Sequence, residues 1–172
     1  MVAAEIIKKA ARVRLLALDV DGVLTDGKII LNEAGGELKL FHVRDGSALV
    51  RARRAGLVIA LISGRESEAV RRRADELGIE EVYLGARDKV SVLNALRNKY
   101  GCKPEETAFL GDDLNDLPVL EEAGFSVLVA DAHPALNGAA DYRLSLPGGQ
   151  EAVRSLIDLI LNSRRLWGNT LK

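Results

Sequence analysis

Four apolar runs of strand length, residues 13–18, 57–62, 107–110 and 125–129, recur along the chain with segments of helical period between them. Such unbroken runs fit strands covered on both faces, which requires a parallel sheet sandwiched between helices. The clearest helix is C-terminal, where Val153, Leu156, Ile157, Ile160 and Leu161 repeat at i, i+3, i+4, i+7 and i+8. Others are expected at about 46–55, 66–78, 89–100 and 115–123. The exception is KIILNEAGGELKLFHV (28–43), two β-rich runs around a glycine-containing loop, which predicts a β-hairpin flap over about 24–43. No internal repeat, low-complexity tract or long linker interrupts the rest, so a single domain over 1–172 is expected.

Charge narrows the function classes. The 172 residues carry a net charge of −1, which gives no overall field for nucleic acid or an anionic membrane surface. The longest apolar run, 55–62, is too short to span a bilayer, and the N-terminus lacks the pattern of a secretory leader. The lone Cys102 cannot form an internal disulfide. A cytoplasmic protein, with neither nucleic acid nor membrane as partner, is therefore expected.

The first apolar run continues as LLALDVDGVLTDG (15–27) and so drives straight into two acids. In an open parallel sheet ligands gather beyond the carboxyl ends of the strands, which is where Asp19 and Asp21 fall. Two carboxylates that close repel unless a cation sits between them or one is protonated. A loop with an Asx turn is the structural alternative for DVDG alone. The other strands also stop at polar clusters: LVIALISGR ends on Ser63, Gly64 and Arg65, ARDKV puts Lys89 at a helix start, and TAFLGDDLND supplies Asp112, Asp113 and Asp116. Oxygen donors of this kind suit Mg²⁺ better than zinc, since Cys102, His42 and His133 are too few for the Cys and His set zinc prefers. His42 and His133 read as packing residues.

DVDGVLT, the Ser after an apolar strand, the later Lys and GDDLND together resemble the four motifs of the haloacid dehalogenase superfamily of phosphotransferases. The resemblance implies an α/β, Rossmann-like three-layer sandwich with a central parallel sheet and a Mg²⁺-dependent phosphate-ester hydrolase. It assigns Asp19 as nucleophile, Asp21 as general acid and base, and Ser63 and Lys89 as phosphate ligands. The implied metal ligands are Asp112, Asp19 and the Asp21 backbone carbonyl. Asp113 and Asp116 are expected behind them, orienting Lys89, coordinating through water or capping the following helix. Members of the superfamily often insert a cap domain between motifs; here the flap and one helix fill the first interval, and a helix and a short strand the second, so no cap is expected. An uncapped site beside an apolar hairpin (Ile29, Ile30, Leu31, Leu38, Leu40) predicts oligomerisation through the flap.

FHVRDG, VADAHP and GGQEAVRSLIDLIL extend the resemblance over nearly the whole chain, to the superfamily's uncapped phosphatases of eight-carbon sugar acid phosphates. That implies a homotetramer joined through its flaps, a place in lipopolysaccharide biosynthesis, and a C-terminal tail (about 164–172) able to fold over a site. Ser63 stands where such enzymes usually have Thr, and Glu151 where they commonly have a glycine. The resemblance makes Gly64, Arg65 and Arg73 candidates for substrate binding, the arginines as bidentate partners of a carboxylate. Arg71 and Arg72 read instead as a solvated helix face paired with Glu66 and Glu68. A nine-carbon sugar acid phosphate, a broad range of sugar phosphates, or a non-catalytic assembly role are the alternatives.

Overall fold

In a computed structural model, which describes residues 2–33 and 36–164, the four apolar runs become the middle of one parallel sheet. Strands β1 (Leu15–Leu18), β4 (Val58–Ile62), β5 (Glu81–Tyr83), β6 (Thr107–Gly111), β7 (Phe125–Leu128) and β8 (Tyr142–Arg143) are ordered β5-β4-β1-β6-β7-β8. All four residues of β1 are fully buried. Burying each leucine contributes about 1.5–3 kcal/mol. That force seats β1 at the centre and carries the acids attached to its end to the sheet's edge.

The connections explain the layers. Helices α2 (Val43–Arg54) and α3 (Glu68–Leu77) link β1 to β4 and β4 to β5 in one direction along the sheet. Helices α4 (Lys89–Tyr100) and α5 (Leu117–Glu122) link β5 to β6 and β6 to β7 in the other. Because such crossovers are right-handed, reversing direction moves the helices to the opposite face. Accordingly α4 packs on α5, while α2 packs on α3 and on α6 (Ala152–Ser163), which also covers α1 (Ala4–Arg12). The reversal falls between β1 and β6 and opens a crevice beyond their carboxyl ends. Leu18 pairs with Leu61 and with Leu110, so Asp19, Ser63 and Asp112 emerge within one residue of a common level.

The expected flap is present as the antiparallel hairpin β2 (Ile30–Leu31) and β3 (Glu37–Leu38), which joins no strand of the main sheet. Its ladder is shorter than the apolar pattern suggests, and among the described residues no other strand pairs with its outer edges. The intervals on either side of β4 hold only the hairpin, α2, α3 and β5, and no cap domain occurs among the described residues. No described helix is long and apolar enough to cross a membrane. Of the C-terminal tail, everything beyond Arg164 lies outside the described residues.

The segment before α6 buttresses the loop after β1. Gly149 N–H donates to Val23 O at 2.9 Å, and a Cβ at Gly148 would lie 1.7 Å from Gly22 O. Only glycine permits that approach. Glu151 adopts a left-handed conformation (φ 69°) and accepts from Arg44 Nη1 at 2.5 Å.

Candidate active site

Asp19 continues β1 and is almost completely buried. Its Oδ1 accepts from Val20 N–H at 2.7 Å and lies 3.0 Å from Lys89 Nζ, leaving Oδ2 for other partners. Lys89 opens α4, whose end is capped by Asp88 accepting from Ser91 N–H at 3.0 Å. The Lys89 ammonium lies 5.8 Å from the centre of the Phe109 ring and donates to Asp116 Oδ1 at 2.6 Å. Asp116, fully buried, accepts from Asp112 N–H through Oδ2 at 3.0 Å. A continuous polar chain thus ties β1, α4, the short 3₁₀ turn Leu114–Asp116 and the end of β6.

Three carboxylates, Asp19, Asp112 and Asp116, place oxygens within 4.8 Å of one another. One buried ammonium cannot neutralise them all. Burial first, then the Asp116 charge, pushes Asp19 up to about 6, although Lys89 pulls the other way. Burial and then the charges of Asp19, Asp116 and Asp113 push Asp112 up to about 8. Asp112 Oδ1 is buried without a hydrogen-bond partner. Gly22, at φ +85°, passes so close that a Cβ there would lie 2.0 Å from Asp112 Oδ2. An unpartnered oxygen in a surplus of buried acids is the environment of a hard divalent cation, and the donors fit Mg²⁺. Both oxygens of Asp116 are already used, so it orients Lys89 and the Asp112 backbone. Asp113 is exposed and caps the 3₁₀ turn by accepting from Leu114 N–H at 2.8 Å.

These groups open onto a cleft lined also by Asp21, Ser63, Gly64, Arg65, Ile29 and Asn115. Ser63 Oγ accepts from Arg65 N–H at 3.2 Å. No neighbour demands glycine at position 64, where a Cβ would come no nearer than 4.0 Å to another residue. Sequence reasoning missed two flap residues. Lys39, with a side chain only 1% exposed, donates to Asp21 Oδ1 and lies 2.5 Å from Glu37 Oε1. Glu37 Oε2 accepts from Arg65 Nη2 at 2.8 Å, and Arg65 Nε lies 3.8 Å from Asp21 Oδ2. The signal was the alternation ELKL, which puts Glu37 and Lys39 on one face of the hairpin and Leu38 and Leu40 on the other. Asn115 was passed over inside GDDLND.

Arg73 does not join them. Its guanidinium pairs with Glu76 at 2.7 Å, lies 5.9 Å from the centre of the Phe41 ring, and fills the space a Cβ at Gly46 would need. There it borders a separate cavity of about 10 Å³ with His42 and Asp45, room for about one water. Arg71 and Arg72 pair with Glu66 and Glu68 on the surface. His42 and His133 cap helical turns, each accepting through Nδ1 from a backbone N–H.

Residues 81–147 match the model of a family of haloacid dehalogenase-like hydrolases. The 3-deoxy-D-manno-octulosonate 8-phosphate phosphatase KdsC of Escherichia coli (strain K12) is 46% identical over 160 residues, covering 93% of this chain and 85% of its own length. The chain belongs to the 3-deoxy-D-manno-octulosonate 8-phosphate phosphatase family. The crystal structure of the family's Yersinia pestis member superposes with a TM-score of 0.95 at 42% identity, covering 97% of this chain and 90% of that one. That of the Moraxella catarrhalis enzyme, in complex with magnesium ion, phosphate ion and KDO, gives a TM-score of 0.92 at 40% identity, with 98% of both chains covered.

Proposed function

We propose that the chain is a Mg²⁺-dependent phosphomonoester hydrolase that converts 3-deoxy-D-manno-octulosonate 8-phosphate to 3-deoxy-D-manno-octulosonate and phosphate through phosphorylated Asp19. The observation that carries this reading is the polar chain Asp19–Lys89–Asp116–Asp112 beside Ser63, with Asp112 Oδ1 left unpartnered. Family membership and the magnesium, phosphate and KDO held by the Moraxella catarrhalis relative support the metal and the substrate class.

Asp19 and Asp112, with the Asp21 backbone carbonyl, would hold Mg²⁺, which when bound screens the carboxylates from an anionic phosphate. Asp19 Oδ1 is held by Val20 N–H and Lys89, so Oδ2 is the attacking atom. It bonds to phosphorus as the ester oxygen leaves, and Asp21 gives that oxygen its proton. Asp21 then takes a proton from the water that attacks the aspartyl-phosphate, releasing phosphate and restoring Asp19. Ser63 and Lys89 hold the phosphoryl oxygens as charge builds on them. Gly64 leaves the cleft floor open, and Arg65 faces the substrate carboxylate. Arg73 borders the small separate cavity rather than this cleft and takes no part in this scheme.

The proposal extends to a cytoplasmic homotetramer joined through the hairpins. The exposure of Leu31 (67%) and Leu40 (70%), with Ile29, Ile30 and Leu38 beside them, supports the assembly. The test is Asp19→Asn against a panel of eight- and nine-carbon sugar acid phosphates, sugar phosphates and p-nitrophenyl phosphate with Mg²⁺. Wild-type enzyme should prefer the eight-carbon ester, and the Asp19→Asn variant should turn over none. Full activity of Asp19→Asn would refute the mechanism, and a flat wild-type profile would refute the substrate.

A further inference from the structure

Glu37 has two cations as the partners of its carboxylate: Arg65 Nη2 at 2.8 Å on Oε2, and Lys39 Nζ at 2.5 Å from Oε1. Buried Asp45, by contrast, is tied to the fold by the Arg154 backbone N–H at 2.7 Å. Glu37 is held by side chains that bind any carboxylate. Its hairpin belongs to a separate two-stranded sheet, so a rotation of the Glu37 side chain breaks no bond of the main sheet. Arg65 is half exposed, lines the cleft beside Ser63 and Asp21, and spends one prong of its fork on Glu37.

We infer that Glu37 is a specificity-determining residue whose carboxylate occupies, in the unliganded chain, the seat between Arg65 and Lys39 that a substrate carboxylate takes on entry. The inference rests on the proposed reading of the substrate as a phosphorylated sugar acid. A substrate carboxylate that replaces Glu37 keeps two acids, itself and Asp21, opposite Lys39 and Arg65, and the displaced Glu37 carboxylate turns out to water. An ester without a carboxylate offers no rival to Glu37, which then stays on Arg65 and Lys39. Hydrogen bonds from Lys39 and then Arg65 hold Glu37 below the usual carboxylate range, so it competes in its ionised form at neutral pH.

Glu37→Gln keeps the shape and removes the competing charge. KM for 3-deoxy-D-manno-octulosonate 8-phosphate should fall about fivefold relative to KM for p-nitrophenyl phosphate, as when a charge-assisted contact loses its rival. Inhibition of p-nitrophenyl phosphate hydrolysis by 3-deoxy-D-manno-octulosonate, which carries only the carboxylate, should tighten by a similar factor. Glu37→Asp, which restores the charge, should move both values back towards wild type. A KM and an inhibition constant that stay level or rise in Glu37→Gln would overturn the inference and make Glu37 a holder of Lys39 and Arg65. A Glu37→Gln protein whose far-UV circular dichroism shows a lost fold is replaced by Glu37→Asp, which must then weaken neither value more than about twofold. The inhibition arm uses p-nitrophenyl phosphate as reporter, so it reads the seat even where wild-type enzyme ignores the eight-carbon ester, a result that would sink the substrate reading alone.

Discussion

Replacing Lys89 by Met tests whether the ammonium at the centre of the site is also a keystone of the fold. Lys89 is 5% exposed, and its charge is shared between Asp19 and Asp116. Burial pulls the ammonium down, but the two acids outweigh it and hold it above its ordinary value. Methionine keeps an apolar stem near Phe109, so the loss is chiefly electrostatic. Removing one partner of a buried pair costs about 3–5 kcal/mol, and here two carboxylates lose the same partner, so the upper end is expected near pH 8 without metal. Protonation limits the damage. Asp19 already sits at about 6 with Lys89 present, and without it the value moves further up. A carboxyl whose folded value lies above its unfolded value of 3.8 binds more protons folded than unfolded, so stability falls as pH rises between those values. The penalty for Lys89→Met should therefore shrink by roughly half near pH 5.5. Urea unfolding followed by far-UV circular dichroism, with chelator, at both pH values measures it. A loss below about 1 kcal/mol, or one independent of pH, would refute the reasoning.

Asp112→Ala should weaken Mg²⁺ binding at least about 100-fold by calorimetric titration, since loss of a direct ligand exceeds that of a supporting group. Because Asp112 sits at about 8 before metal binds, Mg²⁺ uptake by wild-type protein near pH 7 should expel about one proton, read from titrations in buffers of different ionisation enthalpy. Proton-neutral binding would contradict that assignment. Ile30→Glu with Leu40→Lys should split the tetramer in light scattering and lower activity on the eight-carbon ester more than on p-nitrophenyl phosphate; a wild-type monomer fully active on that ester would defeat the assembly proposal.

The acids after β1 and β6 were legible because an apolar run cannot hide a carboxylate, so Asp19 and Asp112 had to lie where the strands end. Lys89 was legible as a helix-start residue, and Asp116 as its orienting partner was one of the readings weighed. Helix α1 is amphipathic but went unread: it is only nine residues long, with Ile6 and Ala10 the residues it buries. Strand β8 is two residues long, too short for any period. The Lys39–Asp21 contact depends on the hairpin folding back, which local alternation signals by face but not by destination. The resemblance that singled out Arg73 carried no information on which neighbour it meets within its own chain; Gly46 of α2 leaves a hollow, and the guanidinium fills it.

The strand order carries a consequence for how the chain is made. β1 is synthesised first yet lies between β4 and β6. During translation its Leu15–Leu18 backbone can pair with Val58–Ile62 early, but its other edge stays bare until Thr107–Gly111 has left the ribosome. For much of synthesis one edge of this wholly apolar strand is therefore an open template, exposed to pairing with a neighbouring chain.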